Sequence, residues 1–434
     1  MKRTGLIRGA LTLWLLAPFS GQAAEILTLA DAEALALQNN PALAATGKQA
    51  EAMAAIPSQA GSLPDPKLSF KAMNLPVDTF STTQENMTQL QVGISQAIPF
   101  PGKLDLKAEA AERMAAAALR NQEEFRLVLL RNTRIHWWNL AYLDKALEII
   151  RHNQALLRNL VRVAEIKYKT GKGLQQDVLL AQLELSKLLE RELKIQAVRE
   201  REAATLNALL GRPADTVIAL PRQSDHNLEA TRVDTAALKK WARGHRPMLL
   251  AMADQVDAAD SLLELAEKDY YPDFNIGAAY GFRSGINPAN GQSRPDFASF
   301  MLTMSVPLYS GSKQDKAVDQ RMAEKAKAEF SRLDAIYLVD AEIDSAASDL
   351  RIARDQVMLF EKGILPQARQ TTASMLAGYQ VNKVDFLNLV RAQLSEFNTD
   401  IQYWQQISLA HQAEARLAAA AGKEYLGKDG SRHE

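Results

Sequence analysis

Residues 104–170 contain neither glycine nor proline. At 1.5 Å per residue they can form about 100 Å of unbroken helix. A helix that long cannot fold inside one compact domain. It must lie against others, in a coiled coil or a helical barrel. The turn YKTGKGLQQDV (168–178) follows, then a return helix expected over about 174–210. The same design comes back later in the chain. A long run starts near 312 and is interrupted at Gly363 and Pro366, where a kink or short break is expected. The turn YQVNKVDF (379–386) and a return helix over about 380–421 complete it.

The chain is therefore written twice. Thr28 opens a helix with Asp31 in the capping-box position, and Asn40-Pro41 restarts it. Asp234 and Arg246-Pro247 repeat this 206 residues on. Pro64-Asp65 and Pro272-Asp273 stand 208 apart, as do Pro99 and Pro307. Tyr168 and Tyr379, Ala181-Gln182 and Ala392-Gln393, and Gly211 and Gly422 stand 211 apart. The first unit spans 24–211 and the second 234–422. Residues 212–233 read as a linker and 423–434 as a polar tail. The long hairpins are expected over about 104–210 and 312–421.

Ahead of each hairpin two short runs alternate with a period of two, the mark of a strand with one apolar face. They are expected at about 67–74 and 89–98, then 274–282 and 299–307. Leu68, Phe70, Leu90, Val92, Ile94, Phe274, Ile276, Tyr280, Phe300, Leu302 and Val306 fall on the apolar side. Lys67, Lys71, Gln91, Asn275 and Thr303 fall on the other. Each second strand ends at a break, SQAIPFPGK or SVPLYSGSK, where Pro99 and Pro307 cannot donate to a ladder. Gly102 and Gly311 are expected to permit the redirection, and Phe100 and Tyr309 to lie in an interfacial aromatic belt.

The start of the chain sets the compartment. Lys2, Arg3 and Arg8 precede an apolar stretch from Leu11 to Phe19 and the small-x-small site Gly21-Gln22-Ala23, so residues 1–23 read as a signal peptide. The mature chain then holds 48 Lys/Arg against 51 Asp/Glu, a net charge of −3, with no basic field for nucleic acid. There is no cysteine, hence no disulfide, thiolate site or lipidated Cys. The six histidines are scattered without metal-ligand spacing, and Met301 and Met304 point to opposite faces of a strand. HWWNLAY (136–142) reads as helix-packing aromatics, and no nucleophile elbow or phosphate loop occurs. The chain reads as no enzyme and as needing no cofactor.

Strands of this length suit a membrane-spanning β-strand. Four of them cannot close a barrel, and open edges are not tolerated in lipid. Three chains supply twelve, an even number within the range of outer-membrane barrels. The fold expected is mainly α with a small membrane β-barrel portion: a trimeric 12-stranded barrel in the outer membrane, continued by an α-helical barrel in the periplasm. A soluble periplasmic coiled-coil adaptor or scaffold is the other class of reading, and two complete strand–strand–hairpin units count against it.

Nearly the whole mature chain resembles the TolC family of outer-membrane efflux proteins. The likeness rests on LTLADAEALALQNNPALAA, the PFPGK junction, the tip motif from Tyr168 to Gln182 and NALLGRP. IPFPGK, YKTGKG and GYQVNKVDFLNLVRAQL are most similar to the CzcC-type heavy-metal efflux branch. The resemblance implies a passive exit duct of a Gram-negative tripartite exporter, a homotrimer docked on a periplasmic adaptor (membrane fusion protein) and an inner-membrane resistance-nodulation-division pump of metal type. Its cargo would be heavy-metal cations, with drug efflux or type I secretion as the alternative. It also implies that the hairpin turns meet the adaptor, here Tyr168, Gly171, Lys172, Gly173, Gln176, Tyr379, Asn382 and Lys383. Gly171 and Gly173 supply positive φ, and the two tyrosines cap the packing. Other members carry two aspartates, three apart, just after the second turn, as an acidic aperture. Asn388 and Arg391 occupy those positions here. Asp177 and Asp385 are the nearby acids that can form a ring instead, or Arg391 pairs with an acid and locks the duct; both readings, and plain solvated charges, stay open.

Overall fold

In the computed structural model, residues 26–222 and 233–426 are described, and the signal segment, part of the linker and the last residues lie outside them. Helices α1 (Leu29–Asn39), α2 (Pro41–Ala54) and α3 (Ile56–Gly61) lead into β1 (Lys67–Met73) and β2 (Gln89–Ile98). The hairpin of α4 (Lys103–Lys169) and α5 (Gln175–Leu209) follows. The second unit comprises α6 (Thr235–His245), α7 (Pro247–Lys268), β3 (Phe274–Phe282), β4 (Phe297–Met304), α8 (Gln314–Leu359), α9 (Leu365–Gln380) and α10 (Phe386–Ala420). Between α8 and α9 the chain does not break. One π-helical turn, Phe360–Ile364, absorbs the lost hydrogen bond and the ring of Pro366, and the helix runs on.

The caps follow the sequence. Thr28 accepts from the Asp31 backbone N–H at 3.1 Å while Asp31 accepts from that of Thr28 at 3.2 Å, a complete capping box. Asp234 caps α6 through Ala237 at 3.0 Å. Each unit closes on itself in the same way. Asn40, at the head of α2, donates to the Leu209 carbonyl at 2.9 Å; Arg246, at the head of α7, donates to the Ala420 carbonyl at 3.0 Å.

The strands form one antiparallel sheet in the order β1-β2-β3-β4. Its registers obey the repeat to the residue. Lys67 faces Ser95 in the first hairpin, and Asn275 faces Thr303, 208 residues on, in the second. Pairing partners share a face, so Leu68 with Ile94, Phe70 with Val92 and Tyr280, and Ile276 with Leu302 make one apolar surface. Lys67, Lys71, Gln91, Asn275 and Thr303 lie on the other. Strand β4 stops at Met304, three residues short of Pro307, so Val306 lies past it. The last bond of this ladder runs from the Ser305 N–H to the Asp273 carbonyl, 3.0 Å.

The cores are narrow strips of Leu, Ile and Ala between helices, as lateral packing requires. Leu140, Leu206 and Leu210 fill the first unit, and Val339, Ile343, Leu350 and Leu417 the second. The C-terminal tail is a strap, because its first residues have partners in the other unit. The Tyr425 hydroxyl donates to Glu33, and Arg134 lies 4.1 Å above the Tyr425 ring. Arg126 pairs with Glu424. At the centre, Arg134 meets Glu33 at 2.6 Å with side chains only 8% and 11% exposed. Burial opposes the Arg134 charge, but the Glu33 bonds outweigh it and raise its pKa. The linker is anchored too: Ile218 is buried, and the Leu27 N–H reaches the Ala219 carbonyl at 2.8 Å.

Glu33→Gln would leave the Arg134 guanidinium buried without a counter-charge. It is expected to cost about 3 kcal/mol, whereas Glu33→Gln with Arg134→Met recovers most of that loss. Thermal melting in detergent, followed by helical circular dichroism, checks both.

Candidate functional site

The two hairpin turns lie at the same end of the helices and are built alike. After α4, Lys172 N–H bonds to the Lys167 carbonyl at 2.8 Å and Gly171 N–H to that of Tyr168 at 3.0 Å. After α9, Lys383 N–H bonds to the Gly378 carbonyl at 2.8 Å and Asn382 N–H to that of Tyr379 at 3.2 Å. Both are Schellman ends, which require a residue in the left-handed region. Gly171 takes it at φ +71°, and Asn382, 211 residues on, at φ +58°.

Gly173 does not share that role, because its φ is ordinary. What it supplies is room: a Cβ there would come 2.9 Å from Lys167 Cβ. The second turn solves the same crossing with the glycine on the opposite partner. A Cβ on Gly378 would come 2.5 Å from Val384 Cγ2. Residues 378 and 384 are 211 on from 167 and 173. One member of each crossing pair is glycine, and the repeat has exchanged which.

The tyrosines also differ. Tyr379 is buried against Phe386 (ring centroids 5.4 Å), with Ala164 and Ala181 of the first hairpin beside it. Burial, then the Asp177 charge, raises its pKa. Tyr168 is 48% exposed and does not cap the packing of its own chain. The groove between the two hairpins of one chain receives Tyr379, whereas the outer side of the first hairpin is open. Lys167 ties the turns together. Its Nζ donates to the Tyr379 carbonyl (3.1 Å) and to Asn382 Oδ1 (2.8 Å), and lies 3.9 Å from the Tyr379 ring centre. Sequence reasoning missed this residue. The available signal was the loss of repeat symmetry, Lys167 against Gly378.

Lys172, Gln176, Asn382 and Lys383 are exposed at the turns. Asp385, Asn388 and Arg391, three apart, form one exposed face at the start of α10. Among the described residues no ion pair involves Asp177, Asp385 or Arg391, so Arg391 does not lock against an acid of its own chain.

At the other end of the helices the first junction is locked. Ile98 ends β2 and Pro99 follows. Phe100 is stacked on Tyr271 at 4.5 Å, and its N–H donates to Asp273 Oδ1 at 2.8 Å. Gly102 turns the chain into α4 at φ +86°. Lys103, its side chain 6% exposed, lies between Asp269 (2.9 Å) and Asp273 (3.0 Å). Burial opposes the Lys103 charge, yet the two carboxylates win and raise its pKa. The second junction has no such lock. Gly311 has an ordinary φ, and so has Ser310, the residue 208 on from Gly102, so this junction makes no left-handed turn. Leu308 and Tyr309 are 78% and 77% exposed.

The sequence pattern of the outer membrane efflux protein family matches residues 34–212 and 238–423. The chain belongs to this family. It is 21% identical to the cobalt-zinc-cadmium resistance protein CzcC of Cupriavidus metallidurans over 93% of this chain and 92% of that one. It is 23% identical to the alkaline protease secretion protein AprF of Pseudomonas aeruginosa over 65% of this chain and 60% of that one. Among solved structures, the outer membrane protein VceC of Vibrio cholerae aligns with a TM-score of 0.76 at 20% identity, covering 91% and 96% of the two chains.

This outer membrane efflux protein is therefore a channel component, with its helical part in the periplasm, and a conduit rather than an enzyme. The apolar sheet face is the surface such a protein turns to lipid. No helix among the described residues is long and apolar enough to cross a membrane, and none of their His, Asp and Glu groups is placed to hold a metal ion.

Gly378→Ala should force Val384 aside and lower stability by about 1–3 kcal/mol. Val384→Gly in the same chain should restore most of it, copying the Lys167–Gly173 arrangement. Limited proteolysis at the turns, on the two single variants and the double, measures the coupling.

Proposed function

We propose that three copies of this chain close into a 12-stranded barrel and a helical barrel, and that this homotrimer is the exit duct for heavy-metal cations delivered by a periplasmic adaptor and an inner-membrane resistance-nodulation-division pump. The observation that carries the assembly is the repeat itself. Strands β2 and β3 join the two units inside one chain, with Leu90 facing Phe282 and Ile98 facing Phe274. Moving β2 forward and β3 back by 208 residues turns that contact into one between β4 and the β1 of another copy. It sets Leu302 opposite Phe70, Met304 opposite Leu68 and Met301 opposite Lys71. Apolar then meets apolar on one face, and both open edges are used.

The chain holds no cysteine, so the register is open to a clean test. Phe70→Cys with Leu302→Cys should give disulfide-linked dimers and trimers on non-reducing gels. Leu68→Cys with Leu302→Cys, displaced by two residues, should not. Equal cross-linking of the two pairs would remove this register.

The exposed turns, with Lys172, Gln176, Asn382 and Lys383, are the surface offered to the adaptor. The metal reading is supported by the match to the cobalt-zinc-cadmium resistance protein along nearly the full length of both chains. A protein-secretion duct is the second reading, favoured by the shorter match to the alkaline protease secretion protein; a drug-efflux duct is the third. Deleting the gene in its host separates them. Growth should become sensitive to zinc, cobalt or cadmium, with drug tolerance and protein secretion intact. Unchanged metal tolerance would overturn the metal cargo.

A further inference from the structure

The two faces of the sheet differ in charge as well as in polarity. The apolar face carries no ionisable group other than the Tyr280 phenol along its strands. On the opposite face the charged residues are Lys67 and Lys71, both exposed and neither in an ion pair among the described residues. Arg283, directly after β3, keeps the same parity. Its guanidinium lies 4.1 Å from the ring centre of Phe297, a residue of this polar face, and donates to the Pro295 and Asn86 carbonyls. Of the carboxylates at the outer rim, Asp296 sits one residue out of phase. It accepts from the Tyr280 hydroxyl at 2.8 Å, and Tyr280 belongs to the apolar face. Asp78 and Glu85 lie out in the loop beyond β1. Within the strands the surface away from lipid is thus cationic and has no carboxylate of its own; at the periplasmic mouth Asp65, two residues before Lys67, and Asp273, which is paired with Lys103, keep the same parity.

We propose that the barrel lumen is an anion-attracting collar, with Lys71 in the outer half of the strands, opposite Gln91, and Lys67 on their periplasmic side. This rests on the trimeric barrel proposed above. Three copies place two rings of lysine about 13 Å apart along the strands. In the register derived there, the next copy's Met301 and Ser305 stand opposite Lys71 and Lys67, and both are neutral. Like charges in a narrow, low-dielectric tube concentrate counter-ions by about ten-fold or more. The collar therefore draws polyvalent anions and lowers passive re-entry of bare metal cations from outside.

The test uses the purified full-length trimer in a planar bilayer. Inositol hexakisphosphate on the barrel side should reduce the conductance, less so as salt is raised. Hexaamminecobalt(III) on that side should not. Lys67→Gln with Lys71→Gln should raise the half-blocking phosphate concentration about ten-fold, while Lys71→Arg keeps the block; gel mobility of the trimer verifies folding of each. Block by the cobalt complex alone, or phosphate block indifferent to the glutamine variant, would overturn the collar and leave the duct standing. A protein that forms neither trimers nor conductance would overturn the duct, and the collar with it.

Discussion

Backbone N–H and C=O groups have no water to turn to inside a bilayer, so a sheet there must leave none of them unpaired. The sheet of this channel protein is apolar on one face and ends in two open strands, β1 and β4. Much else depends on that. The strands are short because they need only cross the hydrocarbon layer. Their hairpins keep identical registers because both units meet the same surroundings. The helices leave the sheet on one side and run as long hairpins. At the first crossing from strand to helix, Lys103 is held between Asp269 and Asp273, which fixes where sheet gives way to tunnel.

What the sequence made legible was what short-range pattern decides. A period of two told strands from helices and sorted Leu68, Phe70 and Ile94 from Lys67 and Lys71 before any pairing was seen. The long run without Gly or Pro became α4, and the offset of 208 reappears as equal registers in the two hairpins. Less legible was whatever a second element decides. Strand β4 stops short of Pro307, although the same proline signal places the end of β2 correctly. The residues after 422 read as a polar tail, and Tyr425 within it is bound by Glu33 and Arg134, hundreds of positions away in the chain. Gly173 stands where turn chemistry expects a left-handed residue, yet its service is to make space for Lys167. Glycine signals that something is needed, and only the neighbour says whether it is φ or volume.

The repeat also shows where equivalent residues do unequal work, and the inequality has a direction. Phe100 and Lys103 bind Tyr271, Asp269 and Asp273 within the chain; their counterparts are Leu308 and Gly311, which make no ring stack or ion pair there. Tyr379 is buried between hairpins, and its counterpart Tyr168 is exposed. Contacts inside the chain include paired, buried charges; the exposed counterparts Tyr168, Leu308 and Tyr309 are apolar or aromatic. The difference follows from when each contact can form. A buried lysine is tolerable only if its carboxylates arrive with it, as they do when one chain folds. In the proposed trimer, a surface that waits in water for another copy carries no such guarantee. A charge poised there would have to shed its hydration at the moment of assembly, whereas Leu308 and Tyr309 gain from burial whenever the partner comes. In the proposed trimer the second junction needs no counterpart of Lys103, because an exposed hydrophobic edge is the form in which a deferred contact can be stored.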